Sequence, residues 1–564
     1  MMQSARSVPR RRLFGEGDRS AEGVSADRLV LLVCVWFVAT GNGAFWRALL
    51  EGRELGDAQT WWMVTATGAA LVALHYLVIA PLANRWTVRP LLSLLIVVAA
   101  FAGHFIDRYG VYLDPGMLRN VLRTDVKEAR ELFAWAMLPH LALHAALPLW
   151  LLWRVRPARR RWLASLPRRL GMALLVAAVG AGALLSVFQD AAATVRNHKE
   201  LRYLITPGNL VWSLATVLAQ DSRSAVRPRH AIGTDAARTA AARVDGRRPL
   251  RVVMVVGETA RAANWGLNGY ARQTTPLLAA MPDLVSYAQV TSCGTNTEVS
   301  LPCMFSPGGR RDYDEARIRG SESLLHVLQR AGVQVLWRDN QSGCKGVCDG
   351  VPNELVGKAM APALCAGERC LDEALLAGLG ARLASVAGAT GADQFVVLHQ
   401  LGNHGPAYDR RYPDAFRRFT PVCETADLRR CSREQIVNAY DNALLYTDQV
   451  LARAIDWLRQ DSAGRDTALL YVSDHGESLG ENGLYLHGVP YAIAPDVQTQ
   501  VPMLLWLSAG IERSQGIDAA CMRQRAAQPA THDHLFHTLL GLMEVSTAIY
   551  DPQFDLLGAC RRGR

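Results

Sequence analysis

The stretch Val252-Val253-Met254-Val255-Val256, followed by Gly257-Glu258-Thr259, decides the fold of the C-terminal part of this chain. It is an apolar run rich in β-branched residues that ends at a carboxylate, which is typical of a buried strand. Two similar runs follow, at 395–398 leading to His404 and at 469–472 leading to Asp474 and His475. Because side chains at the carboxyl ends of neighbouring strands meet in one crevice of an open α/β sheet, we expect these polar groups to converge.

Helical patterns alternate with these strands, at 324–331, 371–386 and 436–458. Such alternation predicts an α/β domain with a mainly parallel sheet and helices on both faces. The chain from about residue 251 onward has roughly 300 residues, which is enough for a sizeable hydrophobic core.

The N-terminal part has a different composition, in which apolar runs alternate with arginine clusters. Five runs are of membrane-spanning length, at 29–50, 61–82, 90–106, 133–153 and 170–188. A bilayer core of ~30 Å needs about 20 apolar residues in a helix, so the sequence predicts a five-helix transmembrane domain. Buried helices of a soluble protein are the alternative, and it is a weak one for five such runs.

Basic residues predict the orientation of these helices. The N-terminal tail is rich in arginine, and the loop 154–169 holds seven arginines and no acid, whereas the first connection is net acidic. The positive-inside rule therefore places the N-terminus in the cytoplasm, and five crossings place everything after Phe188 outside. No small-residue cleavage site follows the first run, so we interpret it as an uncleaved anchor.

The formal net charge of +10 could suggest binding to nucleic acid. Much of the excess, however, lies in the tail and in the loop 154–169, which by this topology face the cytoplasmic leaflet. We therefore expect no nucleic-acid partner.

The cysteines test the predicted location independently. Ten of the eleven lie beyond Leu250, and eight of these form close pairs along the chain: Cys293 and Cys303, Cys344 and Cys348, Cys365 and Cys370, Cys423 and Cys431. An even number of paired cysteines is typical of an oxidising, periplasm-like compartment. A zinc knuckle formed by the second and third pairs is an alternative, and the pairing of Cys521 with Cys560 stays open because they lie far apart in sequence.

The sequence divides into four segments. We predict a cytoplasmic basic tail at 1–27, a transmembrane domain at 28–190 with an outer connection at 107–132, a bridging helix and linker at 191–249, and a catalytic domain at 250–560. In the outer connection, Asn120, Thr124 and Glu128 have helical spacing and could share one helix face. A solvated amphipathic helix on the membrane is the alternative for that connection.

Thr297 is the candidate nucleophile. It lies between Cys293 and Cys303, in the segment between the first two predicted strands. An alcohol is a poor nucleophile at neutral pH, and coordination to a metal lowers its pKa. Carboxylates and imidazoles suit zinc, so the candidate ligands are Glu258, Asp474, His475 and Thr297 itself. Any one of these residues alone would more often be structural or solvated.

Two further histidines could bind a second metal or a phosphoryl group, and one lysine could bind a phosphate. His404 and His487 lie in loops beside glycine, where an imidazole can approach a ligand closely. Lys345, between two cysteines, could bind a phosphate as a point charge. The alternative for each is a solvated surface residue.

Several long motifs resemble those of the lipid A phosphoethanolamine transferases, which include the mobile colistin-resistance enzymes. They comprise Gly257-Glu258-Thr259-Ala260-Arg261, 291–306, Cys344-Lys345-Gly346-Val347-Cys348, 399–408 and 473–490, and they extend over essentially the whole chain after the tail. Glu298, beside the nucleophile, departs from the family pattern, as does Gln341.

The resemblance implies an alkaline phosphatase or sulfatase-like periplasmic domain joined to five transmembrane helices in the bacterial inner membrane. It implies that Thr297 takes up phosphoethanolamine and that Glu258, Thr297, Asp474 and His475 bind zinc. His404 and His487 would bind a second zinc or the phosphoryl group. The implied substrate contacts are Asn120, Thr124, Glu128, Ser342 and Lys345. Phosphatidylethanolamine is the implied donor, lipid A the acceptor, and we expect a monomer.

The reaction that follows is a two-step transfer. Thr297 attacks the phosphorus of phosphatidylethanolamine, diacylglycerol leaves, and a phosphate of lipid A then displaces the threonine. The added positive charge would weaken binding of polymyxins and other cationic peptides. Three alternatives remain at this point: another acceptor, such as core oligosaccharide or another periplasmic glycan; a membrane-anchored phosphodiesterase or sulfatase, although no C/S-x-P-x-R sequence surrounds Thr297; and a metal-stabilised scaffold without activity.

Overall fold

The computed structural model describes residues 23–51, 53–124, 126–158, 162–188, 190, 194, 199–225, 229–367, 369–385 and 391–562. They divide into two compact units. The first comprises Met1–His104 and Leu138–Gly208, and the second comprises Phe105–Met137 and Asn209–Arg564. The arginine-rich tail before Gly23 lies outside the described residues.

The first unit is built from apolar helices. Their bounds are Ala26–Thr40, Gly43–Leu50, Ala58–Ile79, Val88–Tyr109, Met137–Leu141, Leu147–Arg154 and Trp162–Ser186, with a π-helical turn at Ala142–Ala146 and 3-10 turns at Ala80–Leu82 and Lys199–Leu204. The helix Val88–Tyr109 continues into the second unit. Many large apolar side chains on these helices are exposed, as expected for a surface that lipid would cover.

Three of the described helices are long and apolar enough to cross a bilayer: Ala58–Leu82, Val88–Tyr109 and Leu166–Ser186. The pair Ala26–Thr40 and Gly43–Leu50 passes the same test together but is bent by 55°. The predicted span at 133–153 is helical only from Met137 to Arg154 and contains the π-helical turn. The apolar character of the predicted segments is confirmed, whereas the number of spans and their orientation stay predictions.

The second unit contains an eight-stranded sheet in the order β13-β3-β12-β9-β2-β8-β4-β5. The strands in chain order are β1 Ala237–Arg238, β2 Leu250–Gly257, β3 Leu284–Thr291, β4 Gln334–Asp339, β5 Asn353–Leu355, β6 Cys365–Ala366, β7 Arg369–Cys370, β8 Gln394–His399, β9 Asp466–Ser473, β10 Ser478–Leu479, β11 Tyr485–Leu486, β12 Gln500–Leu507, β13 Ala530–Thr531 and β14 Val545–Ser546. Among the described strands of the large sheet, only β12 runs antiparallel to its neighbours. The predicted mainly parallel sheet is confirmed.

The three strands predicted from the sequence are β2, β8 and β9, and they are direct neighbours. Val256 of β2 is paired with His399 on one side and with Val472 on the other. Side chains alternate across this central strand, so that Val252 and Met254 pack into the core on one face and Val253 into the core on the other. Both faces are therefore covered, as a parallel sheet requires.

The second unit also contains helices, several of which, such as Arg433–Asp461, pack against the sheet. Their bounds are Pro115–Arg123, Val126–Glu131, Gly208–Ala225, Pro276–Ala279, Thr297–Met304, Glu315–Gly320, Leu324–Arg330, Leu379–Ala384, Arg433–Asp461, Asp496–Thr499, Ala509–Ser514, Ala519–Arg525 and Asp533–Leu542. The longest begins at the N-cap Ser432, whose side chain and that of Gln435 form a capping box. The predicted helix at 371–386 is instead a 3-10 turn followed by the short helix Leu379–Ala384.

Five disulfide bonds join the ten cysteines of the second unit. Each of the four close pairs noted in the sequence is bonded to its neighbour. Cys521 pairs with Cys560, which settles the pairing that the sequence left open. The cysteines of the alternative zinc knuckle are all oxidised here, so they offer no thiolate to a metal.

Candidate metal centre and nucleophile

Two parallel strands place the acidic and imidazole groups of the site. Glu258 follows the last residue of β2, and Asp474 and His475 follow the last residue of β9. Because β2 and β9 are paired in register, with Gly257 opposite Ser473, the three side chains leave the sheet at one point. All three side chains are fully buried.

The backbone around Glu258 is held in a strained conformation. Thr259 has a φ of 53°, in the left-handed region that a β-branched residue rarely adopts. Its carbonyl accepts a 2.6 Å hydrogen bond from the Tyr440 hydroxyl, and its N–H donates to Asp474. On the other side, Gly402 lies so close that a Cβ there would be 2.7 Å from the Glu258 carbonyl oxygen. These contacts fix the direction in which Glu258 leaves the strand.

Thr297 is the first residue of a helix that ends at Met304. The Asn296 side chain caps this helix by accepting a hydrogen bond from the N–H of Val299. The free N–H groups and the dipole of a helix N-terminus favour negative charge, so this position suits an oxygen nucleophile and an anionic phosphoryl group.

Four groups meet at the spacing of ligands around one ion. Thr297 Oγ1 is 3.0 Å from Glu258 Oε2 and 3.4 Å from His475 Nε2. His475 Nε2 is also 3.4 Å from Glu258 Oε1 and 3.3 Å from Asp474 Oδ2. Two ligands that bind a tetrahedral zinc at about 2.0–2.1 Å lie about 3.3 Å from each other. The geometry therefore fits the four ligands predicted from the sequence.

Hydrogen bonding around the site leaves acceptors facing each other. His475 Nδ1 lies 2.9 Å from the carbonyl oxygen of Gly476, which can only accept, so Nδ1 carries the proton and Nε2 is an acceptor. Burial lowers the pKa of His475 to about 3, which keeps the ring neutral. Asp474 Oδ2 is buried and makes no hydrogen bond with any described residue. A cation could satisfy such a set of acceptors.

His487 lies beside this group as well. Ligand atoms of Glu258, His475 and His487 all lie within 4.8 Å of one another. His487 Nδ1 is 3.2 Å from the Glu477 carboxylate, and a carboxylate behind an imidazole is the usual support of a metal-binding histidine. The rings of His487 and His404 are 5.6 Å apart. The structure thus brings together both histidines that the sequence proposed for a second metal or a phosphoryl group.

The loop after β4 brings a further group to Glu258. Asp339 accepts hydrogen bonds from the N–H groups of Gln341 and Gly343, which fixes the loop. Gln341 Nε2 donates to Glu258 Oε2. Lys345 Nζ donates to Ser342 Oγ at 2.7 Å, so these two predicted substrate contacts are neighbours in this loop.

The outer connection contributes a helix next to the nucleophile. Arg123 at the end of helix Pro115–Arg123 pairs with Glu298 at 2.6 Å, and Arg319 pairs with the same carboxylate at 2.9 Å. Arg119, one turn earlier, pairs with Glu315. Of the predicted substrate contacts on this connection, Asn120 and Thr124 are half-buried, with Thr124 Oγ1 donating to the Asn120 carbonyl. The side chain of Glu128 lies outside the described residues.

Two features of the site were missed by sequence reasoning. Glu477, which supports His487, lies only two residues after His475, and its place in the Asp-His-Gly-Glu run was the available signal. The pairing of Glu298 with Arg123 joins positions 175 residues apart, and no local pattern announces it. The unusual carboxylate beside the nucleophile is therefore neutralised by two arginines.

Residues 251–545, which include this sheet and the groups at its edge, match the family model described as Sulfatase. This part of the chain is therefore a sulfatase-type domain. Residues 71–222 match a second model, described as Phosphoethanolamine transferase EptA/EptB.

Known proteins are similar over nearly the full length. Phosphoethanolamine transferase EptA of Escherichia coli K12 is 39% identical, covering 94% of this chain and 96% of that protein. Phosphatidylethanolamine transferase Mcr-1 of Escherichia coli is 37% identical, covering 93% and 96%. The solved structure of the integral membrane protein lipooligosaccharide phosphoethanolamine transferase A from Neisseria meningitidis matches with a TM-score of 0.90 and 38% identity, covering 96% and 99%. The chain belongs to the phosphoethanolamine transferase family.

Replacing Gly402 with alanine tests how tightly Glu258 is held. Gly402 has a φ of 52°, and its added Cβ would meet the Glu258 backbone. We expect Gly402→Ala to lower the free energy of unfolding by about 1–3 kcal/mol and to weaken metal retention. Gly464→Ala is the control, since a Cβ there meets no atom within 4 Å. Thermal unfolding of the full-length variants makes the comparison, and equal stability of the two contradicts the expectation.

Replacing Glu298 with glutamine tests the charge network beside the nucleophile. Glu298 is fully buried, so Glu298→Gln leaves Arg123 and Arg319 without their common counter-charge. We expect a loss of about 1–3 kcal/mol in the free energy of unfolding, because the two arginines are partly exposed and keep some hydration.

The control for Glu298→Gln is Asp456→Asn, which breaks an exposed ion pair with Arg459. Such a pair contributes at most about 1 kcal/mol. Chemical denaturation of both variants measures the difference. If Glu298→Gln is no less stable than the control, these ion pairs do not hold the helix Pro115–Arg123 in place.

Proposed function

We propose that this protein transfers phosphoethanolamine from phosphatidylethanolamine to a phosphate of lipid A, through a covalent intermediate on Thr297. The observation that carries the proposal is the position of the Thr297 hydroxyl, 3.0 Å from Glu258 and 3.4 Å from His475 at the start of a helix. Membership of the phosphoethanolamine transferase family supports the same chemistry.

The first step forms a bond between Thr297 Oγ1 and the phosphorus of the donor. The bond from phosphorus to the glycerol oxygen breaks, and diacylglycerol leaves with a proton. In the second step an oxygen of the acceptor phosphate attacks the same phosphorus, and the Thr297 oxygen leaves and regains its proton. Transfers of this kind depend mainly on positioning and charge stabilisation.

Zinc is the ion that this donor set suits best, because the set combines an imidazole nitrogen with carboxylate and hydroxyl oxygens at tetrahedral spacing. Glu258, Thr297, Asp474 and His475 would hold it. When bound, it lowers the pKa of the threonine hydroxyl and neutralises charge on the phosphoryl oxygens. Whether His404 and His487 hold a second zinc or contact the phosphoryl group directly, their proximity to His475 supports a role at the reacting phosphorus.

The remaining predicted contacts would position the two lipids. Lys345 offers a positive charge in a loop fixed by the Cys344–Cys348 disulfide, and Ser342 is its hydrogen-bond partner. Asn120, Thr124 and Glu128 belong to the outer connection, whose first helix lies against the nucleophile helix. A substrate bound there would lie between the outer connection and the helix that begins at Thr297, both of which belong to the second unit.

A lipid-linked saccharide acceptor such as lipid A is consistent with the name of one relative. The Neisseria meningitidis protein is a lipooligosaccharide phosphoethanolamine transferase, and it matches over 96% of this chain. Phosphoethanolamine on the acceptor phosphate adds a positive charge, so the product would bind polymyxins and other cationic peptides more weakly.

The same proposal includes the topology. Five helices within 28–190 would cross the inner membrane, with the tail 1–27 in the cytoplasm and, after the linker 191–249, the domain 250–560 in the periplasm. The apolar helices and five disulfides support this arrangement. The chain would act as a monomer.

Mass spectrometry of Thr297 variants tests the intermediate. With phosphatidylethanolamine labelled in its headgroup, the native protein is expected to show one labelled adduct on Thr297. Thr297→Ala removes the attacking oxygen and is expected to lower transfer by on the order of 10³-fold. Thr297→Ser keeps the hydroxyl and is the matched control, expected to retain the adduct. Normal transfer by Thr297→Ala would show that the two-step scheme is wrong.

A second measurement tests the acceptor. Lipid A from cells that express the native protein is expected to gain the mass of phosphoethanolamine, and lipid A from cells with Thr297→Ala is not. Should the label appear on core oligosaccharide while lipid A stays unchanged, the acceptor is wrong but the transfer chemistry stands.

A further inference from the structure

A cavity in the second unit lies beside the loop that carries His404. It measures about 200 Å³ and is formed by the end of the outer connection, residues 130–136, and by the loops around Ala407 and 424–430. Cavities that enclose a whole drug-sized ligand are usually larger, about 300–1,000 Å³. This one has room for a headgroup rather than for a complete lipid.

Three arginines line this cavity: Arg130, Arg410 and Arg430. None of the three guanidinium groups makes a side-chain hydrogen bond or close ion pair with any residue that the structure describes. Arg410 interacts only at longer range, with the adjacent Asp409. Three unpaired positive charges around one small cavity raise the local potential and favour an anion.

The acidic residues of the lining do not neutralise these arginines, because each acidic residue is paired with a different arginine that does not line the cavity. Glu131 binds Arg411 at 2.5 Å. Asp427 accepts a 2.9 Å hydrogen bond from Arg108. Glu424 is paired with Arg417. The cavity therefore keeps a net positive charge.

The cavity is bordered by aromatic side chains that face solvent. Phe133 is 49% exposed and Trp135 is 76% exposed. In the sequence they directly precede the apolar helix that begins at Met137. Aromatic residues at such a position are typical of the interface between membrane and water, where lipid headgroups lie.

One chain of contacts joins the cavity to the catalytic centre. Arg411, which binds Glu131 in the cavity wall, also donates a 2.6 Å hydrogen bond from Nε to the carbonyl oxygen of His404. Ala407, three residues after His404, lines the cavity itself. A ligand in the cavity would thus lie next to the loop that presents His404.

We propose that this cavity is a second binding site that takes the phosphate group of a membrane lipid headgroup, separate from the centre at Thr297. Guanidinium groups bind phosphate oxygens through paired, charge-assisted hydrogen bonds, and the exposed aromatic rings place the bound headgroup at the membrane surface. The phosphate comes either from a phospholipid or from a phosphorylated glycolipid such as lipid A. The choice between these sources rests on the proposed function, whereas binding of a lipid phosphate does not.

The test measures binding rather than turnover, so that a failure of the transfer scheme does not decide it. Full-length protein in neutral detergent is titrated with short-chain phosphatidylglycerol, with lipid A, and with diacylglycerol, which lacks phosphate. The double variant Arg410→Glu/Arg430→Glu reverses the charge of two of the three lining arginines. Arg523→Glu is the matched control, because it reverses another exposed arginine that does not line the cavity.

We expect the double variant to bind at least one of the two phosphate-bearing lipids at least about tenfold more weakly, because two charge-assisted contacts are lost, while Arg523→Glu binds as the native protein does. Loss confined to lipid A assigns the cavity to the phosphorylated glycolipid, and loss confined to phosphatidylglycerol assigns it to phospholipid. Diacylglycerol binding should be unchanged. The proposal is overturned if the double variant binds both lipids normally, or if Arg523→Glu lowers binding equally.

Adduct formation on Thr297 separates the two hypotheses. The three cavity arginines do not touch the reacting groups, so the double variant should still form the labelled adduct when the donor is saturating. If the native protein forms no adduct, but the double variant binds lipid more weakly than the native protein does, the proposed function is refuted. The assignment of the cavity then stands.

Discussion

The structure depends on one electrostatic constraint: carboxylate and imidazole acceptors are packed about one point in a buried site. Glu258, Asp474 and His475 are fully buried, and their facing atoms are 3.3–3.4 Å apart. Burying carboxylates without a counter-charge is strongly unfavourable, and neutral His475 supplies none. A bound cation would resolve this conflict, and the Thr297 hydroxyl, 3.0 Å from Glu258 Oε2, would be one of the groups that hold it.

The surrounding elements serve to hold these acceptors against their mutual repulsion. Strands β2 and β9 hold Glu258, Asp474 and His475 in register, and the strained backbone at Thr259 is held by Tyr440. The turn before His404 is fastened by Asp372, whose two oxygens accept from the N–H groups of Leu401 and Gly402. Strain and buried charge of this kind persist only where the neighbouring structure over-determines the geometry.

Much of this arrangement could be predicted from local sequence. The β-branched runs that end at Glu258 and Asp474 identify buried parallel strands, and the topology of such sheets then brings their ends together. The ten cysteines of this domain predicted an oxidising compartment, although only the structure shows that Cys521 is paired with Cys560. What local pattern could not supply is contact between distant segments. Arg123 and Glu298 are joined across 175 residues, and no periodicity encodes such a pair. The antiparallel placement of β12 within a parallel sheet also depends on tertiary packing rather than on its own sequence.

The most direct test of the central claim is the rate of single-turnover adduct formation on Thr297 in protein stripped of metal by a chelator, with metal content measured on the same samples. The account predicts that the native protein retains zinc close to one equivalent per chain, that the stripped protein forms no adduct, and that added zinc restores the rate. Full-rate adduct formation by protein that contains no measurable metal would contradict it.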